Sequence, residues 1–252
     1  MSLDRAITTL GGYTVVNLSS EHVSHSAMPN FLSGVQLKSM TRFALLLCFM
    51  FTISVLQAES PKVVFEEDFE SGLERWEILD PATWKLNYAG ASTTFEITER
   101  ASDYKPPVRS PGHIALIKDL ELGNFDITFK VRSTKDTGNH RDCCVFFGFQ
   151  DPTHFYYVHL GAKPDPHSGQ IMIVKDAPRL ALTRNERRTP WDDQWHTVRL
   201  ERNVDEGSIK VYFDDMSEPH MKVTDKTFGS GWIGIGSFDD LNEFDNIVVR
   251  KW

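Results

Sequence analysis

The sequence lacks the basic excess that a nucleic-acid-binding protein needs. Its 252 residues contain 27 lysines and arginines against 35 aspartates and glutamates, which gives a formal net charge of -8. Without surplus cations the chain has little with which to neutralise phosphates, and this argues against a nucleic-acid partner. A helical period is also missing, since no segment repeats its apolar residues at the spacing of an amphipathic helix. The absence of that pattern favours an all-β protein.

Cysteine is scarce as well. The chain has three cysteines, and only the adjacent pair Cys143 and Cys144 lies beyond the apolar segment near the start. Neighbouring strand residues point to opposite faces, and a bond between adjacent cysteines needs a distorted peptide, so we expect no ordinary disulfide. The folded domain must then be held together by its hydrophobic core.

A secretory signal is predicted before the main domain. A basic residue precedes an apolar run of about a dozen residues that ends at Ala58, a small residue suited to cleavage. The run is short for a membrane span, so we expect residues 40–58 to be the signal and residues 59–252 the mature domain, secreted or periplasmic. Residues 1–39 show no clear pattern. Either translation starts at Met40 and they are not native, or they form a functional leader.

The mature chain is expected to form a single antiparallel β-sandwich of the jelly-roll type. Strand-like runs recur with Gly, Pro, Asp or Asn between them, which is the rhythm of such folds. The last two runs are expected to form a closing hairpin, and the glycines around Ile233 and Ile235 indicate close approach of another backbone or a ligand. The predicted strands are residues 63–69, 95–97, 113–117, 125–132, 144–150, 155–160, 170–174, 196–202, 208–214, 231–238 and 244–250.

Several of these runs resemble the concanavalin A-like lectin and glucanase superfamily. The resemblance rests on residues 124–129, 195–200, 207–215, 231–234 and 244–246. Within the superfamily, the chain is most similar to laminin-G-like modules and to bacterial 3-keto-disaccharide hydrolase domains. This implies a carbohydrate ligand on a concave sheet. It does not fix an activity, because the fold carries lectins, hydrolases and lyases alike.

The hairpin of residues 144–150 and 155–160 is the predicted sugar-binding surface. If Gln150 pairs with Phe155, one face of the hairpin is core. The core face would hold Val145, Phe147, Phe149, Tyr156, Val158 and Leu160, and the other face Gln150, Phe155, Tyr157 and His159. Aromatic rings stack on sugars and polar groups bind their hydroxyls, so the second face predicts a sugar groove. The alternative is an ordinary outward-facing sheet surface.

Two of these residues are also candidates for catalysis. Tyr157 and His159 lie two apart on one strand face, so they are suited to act as acid and base in a hydrolase or a lyase. The alternative is a histidine with a structural role. No pair of histidines has the spacing of metal ligands.

Four arginines gather in one loop of an otherwise acidic protein. They are Arg179, Arg184, Arg187 and Arg188. Guanidinium groups match the oxygens of carboxylate and sulfate, so the loop predicts an acidic glycan, with Arg179, Arg184 and Arg187 as binding residues. The alternative is a solvated loop in which the arginines pair with Glu186, Asp192 and Asp193.

The resemblance also implies a structural calcium ion. The chain ends pair in this fold, and Asp68 and Asp245 would supply carboxylate oxygens to the ion there. Glu66, Asp68 and Glu70 match the ExDxE pattern of laminarinase-type hydrolases. They lie on the first strand, whereas that motif occupies a central inner strand, so we expect no catalytic role for them.

We therefore expect an exported, monomeric β-sandwich that binds an oligo- or polysaccharide. A glycoside-cleaving enzyme resembling the 3-keto-disaccharide hydrolases is the main alternative. A polysaccharide lyase and a laminin-G-like protein-interaction module are further alternatives.

Overall fold

A computed structural model describes residues 60–252, which form two antiparallel sheets packed face to face. The predicted signal and the upstream segment lie outside the described residues. The described part contains two short 3-10 turns and fifteen strands, and no helix in it is long and apolar enough to cross a membrane. In chain order the strands are β1 (Lys62–Glu67), β2 (Trp76–Ile78), β3 (Trp84–Asn87), β4 (Thr94–Ile97), β5 (His113–Leu122), β6 (Phe125–Ser133), β7 (Cys144–Asp151), β8 (His154–His159), β9 (Gln170–Lys175), β10 (Leu180–Ala181), β11 (His196–Asn203), β12 (Ser208–Phe213), β13 (Met221–Thr224), β14 (Gly231–Ser237) and β15 (Asn242–Lys251). The predicted all-β sandwich is confirmed.

Each sheet combines strands from distant parts of the chain. The first sheet has the order β13-β12-β11-β6-β15-β4-β3, and β1 also pairs with β15. The second sheet has the order β10-β9-β8-β7-β14-β5-β2. Lys62 at the start of β1 lies opposite Lys251 at the end of β15, so the expected pairing of the chain ends is confirmed.

The main core lies between the sheets. Strand β6 shows how it is built, because Phe125, Ile127, Phe129 and Val131 alternate along the strand and are all buried in the core cluster. Their neighbours point outward, as the period of two requires. The second sheet contributes its own inward residues, among them Val145, Phe147, Tyr156 and Val158.

A second apolar layer covers the outer face of the second sheet. Its members are Ile114, Leu116, Cys144, Phe146, Phe149, Phe155, Tyr157, Met172 and Val174, all buried. Tyr104 and Val108 from an overlying loop and Ala181 of β10 pack against it. Because both faces of this sheet are buried, the sequences of its strands are nearly continuous runs of apolar residues. Cys143 lies in the main core and Cys144 in this outer layer, so the prediction that the two side chains point to opposite faces is confirmed.

The predicted closing hairpin is wrong. Strand β14 pairs with β5 and β7 in the second sheet, whereas β15 belongs to the first sheet. The loop between them, residues 238–241, therefore crosses from one sheet to the other. The expectation of a close backbone approach is confirmed, because a Cβ on Gly234 or Gly236 would lie 2.3 or 1.9 Å from a carbonyl oxygen of β5.

The register of the β7–β8 hairpin differs by two residues from the prediction. Phe146 pairs with Tyr157, whereas the predicted pairing of Gln150 with Phe155 would have placed it opposite His159. The cause is a bulge in which Gly148 takes a left-handed conformation with φ +54°. An even shift preserves the faces of the strand. Phe149, inside the bulge, is the exception, since it lies in the outer layer and not in the predicted core.

Candidate functional site

Two adjoining cavities open at the edge of the outer layer. The larger has a volume of about 620 Å³ and lies between the β8–β9 loop and the segment around β10. The smaller has a volume of about 360 Å³ and reaches Asp142 and His159. Asp165, His167 and Arg179 line both cavities. Volumes of a few hundred Å³ are typical of small-molecule sites, so the pair is a candidate binding site.

The β8–β9 loop is held in a tight turn. The backbone N–H of Asp165 donates to the carbonyl of Ser168 at 2.9 Å, and the Asp165 side chain accepts from the His167 N–H at 2.6 Å. Gly169 has φ +65°, and a Cβ there would lie 2.8 Å from Cα of Pro164, so only glycine fits. These contacts set one wall of the larger cavity.

Gln170 joins the two walls, and sequence reasoning missed it. Its amide nitrogen donates to the carbonyls of Asp165 and Asn185 at 3.1 and 2.9 Å. Its amide oxygen accepts from the Thr183 hydroxyl at 2.7 Å and from the Asn185 N–H at 2.8 Å. The amide is thus fully hydrogen-bonded. The available signal was a polar amide at the start of the apolar run of residues 170–174.

Arg179 presents an unsatisfied cation to these cavities. Its backbone N–H donates to the carbonyl of Arg109 at 3.1 Å, and its guanidinium lies 4.3 Å from the ring centroid of Phe238. Its Nε and Nη1 atoms are buried without a hydrogen-bond partner. Leaving buried donors of a charged group unpaired is costly, so the guanidinium is suited to donate hydrogen bonds to ligand oxygens.

The other predicted arginines occupy different positions. Arg184 lines the larger cavity, whereas Arg187 lines neither of the two. Arg187 lies near His220 instead, where burial and then the Arg187 charge lower the pKa of His220 to about 4. Arg188 donates to the side-chain oxygen of Asn139. The structure therefore brings Arg179 and Arg184 together and leaves Arg187 apart.

The expected alternative, in which these arginines pair with nearby acids, is wrong. Asp193 forms an ion pair with Arg141, and Asp192 lies 3.3 Å from Nε2 of His196. Within residues 60–252, none of Arg179, Arg184, Arg187 and Arg188 takes part in an ion pair. Cations without acidic partners favour the anion-binding interpretation of the loop.

His159 and Asp142 form a buried pair at the base of the smaller cavity. His159 Nδ1 donates to the His167 carbonyl at 2.9 Å, and its Nε2 lies 3.6 Å from an Asp142 oxygen. Asp142 also accepts from the Ser237 hydroxyl and the Phe238 N–H, each at 2.9 Å. Burial alone would raise the pKa of Asp142, but His159 and these hydrogen bonds outweigh it and lower the pKa. Both nitrogens of His159 therefore face protein groups.

The predicted open groove on the hairpin is not present. Phe155 and Tyr157 do lie on the face opposite the main core, but both are 0% exposed in the outer layer beneath the loops. The Tyr157 hydroxyl is buried without a partner, and burial raises its pKa well above the usual value. Gln150 is exposed near the turn of the hairpin and lines neither cavity. Alternation in the sequence predicted the faces of Phe155 and Tyr157 correctly, but it carried no sign of the loops that cover their face.

The two aspartates of the calcium prediction have partners of their own. Asp68 is exposed and accepts from the Glu70 N–H at 3.2 Å. Asp245 is buried and accepts from the Ser92 hydroxyl at 2.9 Å and the Asn246 N–H at 2.7 Å. No group of three or more His, Cys, Asp or Glu side chains in the described part is arranged to hold a metal ion. The calcium site stays a prediction.

The acidic run on the first strand has structural contacts. Both carboxylate oxygens of Glu70 accept from Thr93, one from its N–H at 2.7 Å and one from its hydroxyl at 2.8 Å. The Glu67 carboxylate accepts from the Phe69 N–H and the Trp76 indole. These contacts account for part of the ExDxE-like pattern without catalysis.

Comparison with known proteins finds similarity to other proteins in the fold. No protein-family model matches the chain, and no curated protein sequence matches it. Among solved structures, the carbohydrate-binding module CBM66 from Bacillus subtilis has a TM-score of 0.50 and 18% identity, covering 69% of this chain and 93% of that chain. Domain 4 of AbnA, a GH43 extracellular arabinanase from Geobacillus stearothermophilus in complex with arabinotriose, has a TM-score of 0.50 and 11% identity, covering 77% and 94%.

A third solved structure, the cellulose induced protein Cip1, has a TM-score of 0.51 and 14% identity, covering 73% of this chain and 96% of that chain. At such identities the likeness concerns the fold, and an activity does not follow from it. Residues 60–252 have the concanavalin A-like jelly-roll fold.

Proposed function

We propose that this protein is an exported carbohydrate-binding module that holds an acidic glycan at the two cavities beside Arg179. The observation that carries the proposal is the Arg179 guanidinium, which lines both cavities and has two buried nitrogens without partners. A carboxylate or sulfate group of a glycan would supply the missing acceptors.

The cavity walls combine apolar and polar groups in the way that sugar recognition requires. Leu180 lines the larger cavity and is 66% exposed, so it offers an apolar surface for a sugar ring. Main-chain and side-chain polar groups surround it and are suited to bind hydroxyls. The structural neighbours support this choice of ligand, because they include a carbohydrate-binding module and a domain solved with arabinotriose.

Two arginines without acidic partners favour an acidic sugar. Three of the acids along the cavities contact protein groups, since Asp142 faces His159, Asp165 accepts from the His167 N–H, and Asp239 pairs with Arg100 at 3.3 Å. Glu186 also lines the larger cavity and takes part in no ion pair among the described residues. Arg179 and Arg184 likewise have no acidic partner among the described ion pairs, and they are the groups that would meet an anionic ligand.

Binding is favoured over catalysis because the two catalytic candidates lack a usable group. The Tyr157 hydroxyl is buried and Tyr157 lines neither cavity, and both nitrogens of His159 face protein atoms. A general acid or base must reach the proton that it transfers, and neither side chain does so in this arrangement. The apolar run ending at Ala58 supports the proposal that the protein is exported, to the compartment where polysaccharides occur.

The test is calorimetric titration of the purified protein with two sets of oligosaccharides. The acidic set contains oligogalacturonate, oligoalginate and a sulfated carrageenan oligomer, and the uncharged set contains cello-, xylo- and arabino-oligosaccharides. We expect at least one acidic oligomer to bind, and Arg179→Ala to weaken it by roughly 10- to 100-fold, the scale of a hydrogen bond to a charged group. Added salt should also weaken the interaction.

Arg187→Ala is the matched control, because that arginine lies in the next loop of the chain, after β10, and lines neither cavity. Binding by Arg179→Ala equal to that of the unsubstituted protein would contradict the proposal. Release of shorter sugars in the same samples would show an enzyme and contradict a pure binding role.

A further inference from the structure

A separate groove lies on the outer face of the first sheet. Its volume is about 340 Å³, and residues of β3, β4, β6 and β15 line it together with the β3–β4 loop. Glu243 on β15 lies opposite Arg132 on β6, and Trp195 directly precedes β11, next along the same row. The groove shares no lining residue with the cavities beside Arg179.

The charges in this groove cancel one another. The Arg132 guanidinium donates to the Glu243 carboxylate at 2.8 Å, and the amide of Asn87 donates to the other oxygen of Glu243 at 3.0 Å. The lining contains no other ionisable side chain. An anionic ligand would have to compete with Glu243 for its arginine, so an uncharged ligand fits better.

An exposed indole and an unused hydroxyl complete the groove. Trp195 lines it and is 36% exposed, and the Arg132 guanidinium lies 4.9 Å from its ring centroid, which helps to hold the ring in place. The Thr94 hydroxyl, on a side chain that is only 6% exposed, also belongs to the lining and has no hydrogen-bond partner. The hydroxyl therefore has unused hydrogen-bonding capacity, which a ligand atom in the groove would satisfy.

We propose that this groove is a second sugar subsite, which takes an uncharged sugar ring stacked on Trp195 with a hydroxyl hydrogen-bonded to Thr94. Sugar as the ligand class rests on the function proposed above, whereas the groove itself stands on its own residues. The two sites lie on the outer faces of opposite sheets. One molecule would therefore hold two glycan segments, and a polysaccharide carrying both kinds of residue would gain avidity.

The test uses the uncharged oligosaccharides alone, titrated into the full protein by calorimetry. We expect one of cellohexaose, xylohexaose or arabinohexaose to bind, and Trp195→Ala to weaken it by roughly 5- to 30-fold, as for an aromatic anchor in an interface. Trp195→Phe should retain most of the affinity because a stacking ring remains. Trp252→Ala is the matched control, since that tryptophan is 40% exposed and lies outside the groove.

Thr94→Val separates a binding role from a structural one. The hydroxyl has no partner in the protein, so its loss should leave the melting temperature unchanged or raise it, while sugar binding weakens by several-fold. Absence of binding to all three uncharged oligosaccharides, or equal affinity in Trp195→Ala and the unsubstituted protein, would overturn the proposal.

The same titrations keep the two proposals apart. Arg179→Ala should leave the binding of uncharged oligosaccharides unchanged, and Trp195→Ala should leave the binding of short acidic oligomers unchanged. Failure of the acidic series with a normal uncharged series would refute the function proposed above and leave the second subsite standing. The reverse result would refute the second subsite alone.

Discussion

Two adjacent tyrosines test the claim that the second sheet is buried on both faces. Tyr156 points into the main core, and its hydroxyl donates to the Asp225 carboxylate and accepts from the Phe228 N–H at 2.9 Å. Tyr157 points into the outer layer, and its buried hydroxyl has no partner. The same substitution, Tyr→Phe, therefore removes a hydrogen-bonded hydroxyl at one position and an unsatisfied one at the next.

The two substitutions are expected to change the free energy of unfolding differently. Tyr156→Phe leaves the Phe228 N–H buried without its acceptor, which should cost roughly 1–3 kcal/mol. Tyr157→Phe removes a polar group that is already buried without compensation, so stability should stay equal or rise by up to about 1 kcal/mol. Tyr157→Ala should cost about 3–5 kcal/mol, the range for truncating a large buried aromatic side chain.

Urea unfolding of the three variants, followed by circular dichroism, measures these differences directly. For a domain of this size, each kcal/mol corresponds to a shift in Tm of roughly 2–4 °C, which provides a second readout. A Tyr157→Phe variant as unstable as Tyr156→Phe would refute the reasoning, because the hydroxyl would then have a partner. A Tyr157→Ala variant of normal stability would show that the outer layer is open and that the ring faces solvent.

Three further predictions concern pH, calcium and processing. Burial raises the pKa of Asp240 to about 6. The contribution of this carboxyl group to stability is therefore fully present below about pH 4 and is lost as the pH rises through 6. Asp240→Asn should flatten this decline in urea unfolding, and an unchanged dependence of stability on pH would contradict the prediction. If Asp68 and Asp245 share a calcium ion, EDTA should lower the Tm and added calcium should restore it. Asp245→Asn should abolish this response. A Tm that does not change with EDTA would refute the site. N-terminal sequencing of exported protein should begin at or near Glu59, and a sequence starting upstream of Met40 would contradict both the proposed start and the signal.

Much of the fold could be predicted because alternation of apolar residues is a local signal. Strand β6 illustrates this, since every inward residue of Phe125–Ser133 follows the period of two. Pairing partners are not a local signal. The glycine-rich run of β14 and the closing strand β15 are near in sequence, which favoured a hairpin, yet they belong to different sheets.

The candidate site could be predicted only in part, for a related reason. His159, Arg179 and Arg184 were singled out from the sequence, and all three line the adjoining cavities. The covering of the outer layer depends on loop residues such as Tyr104 and Val108, whose contacts no periodicity reveals. Gln170 was missed because its importance lies in four hydrogen bonds to the loops before β9 and after β10, which exist only in the folded chain.

The most direct test of the central claim is an NMR titration of the ¹⁵N-labelled protein with the acidic oligosaccharide that binds best. The account predicts the largest amide shifts in the β8–β9 loop and around β10, together with a shift of the Arg179 side-chain Nε–H as it gains an acceptor. Shifts confined to the outer face of the first sheet, or an unchanged Arg179 signal at saturation, would contradict it.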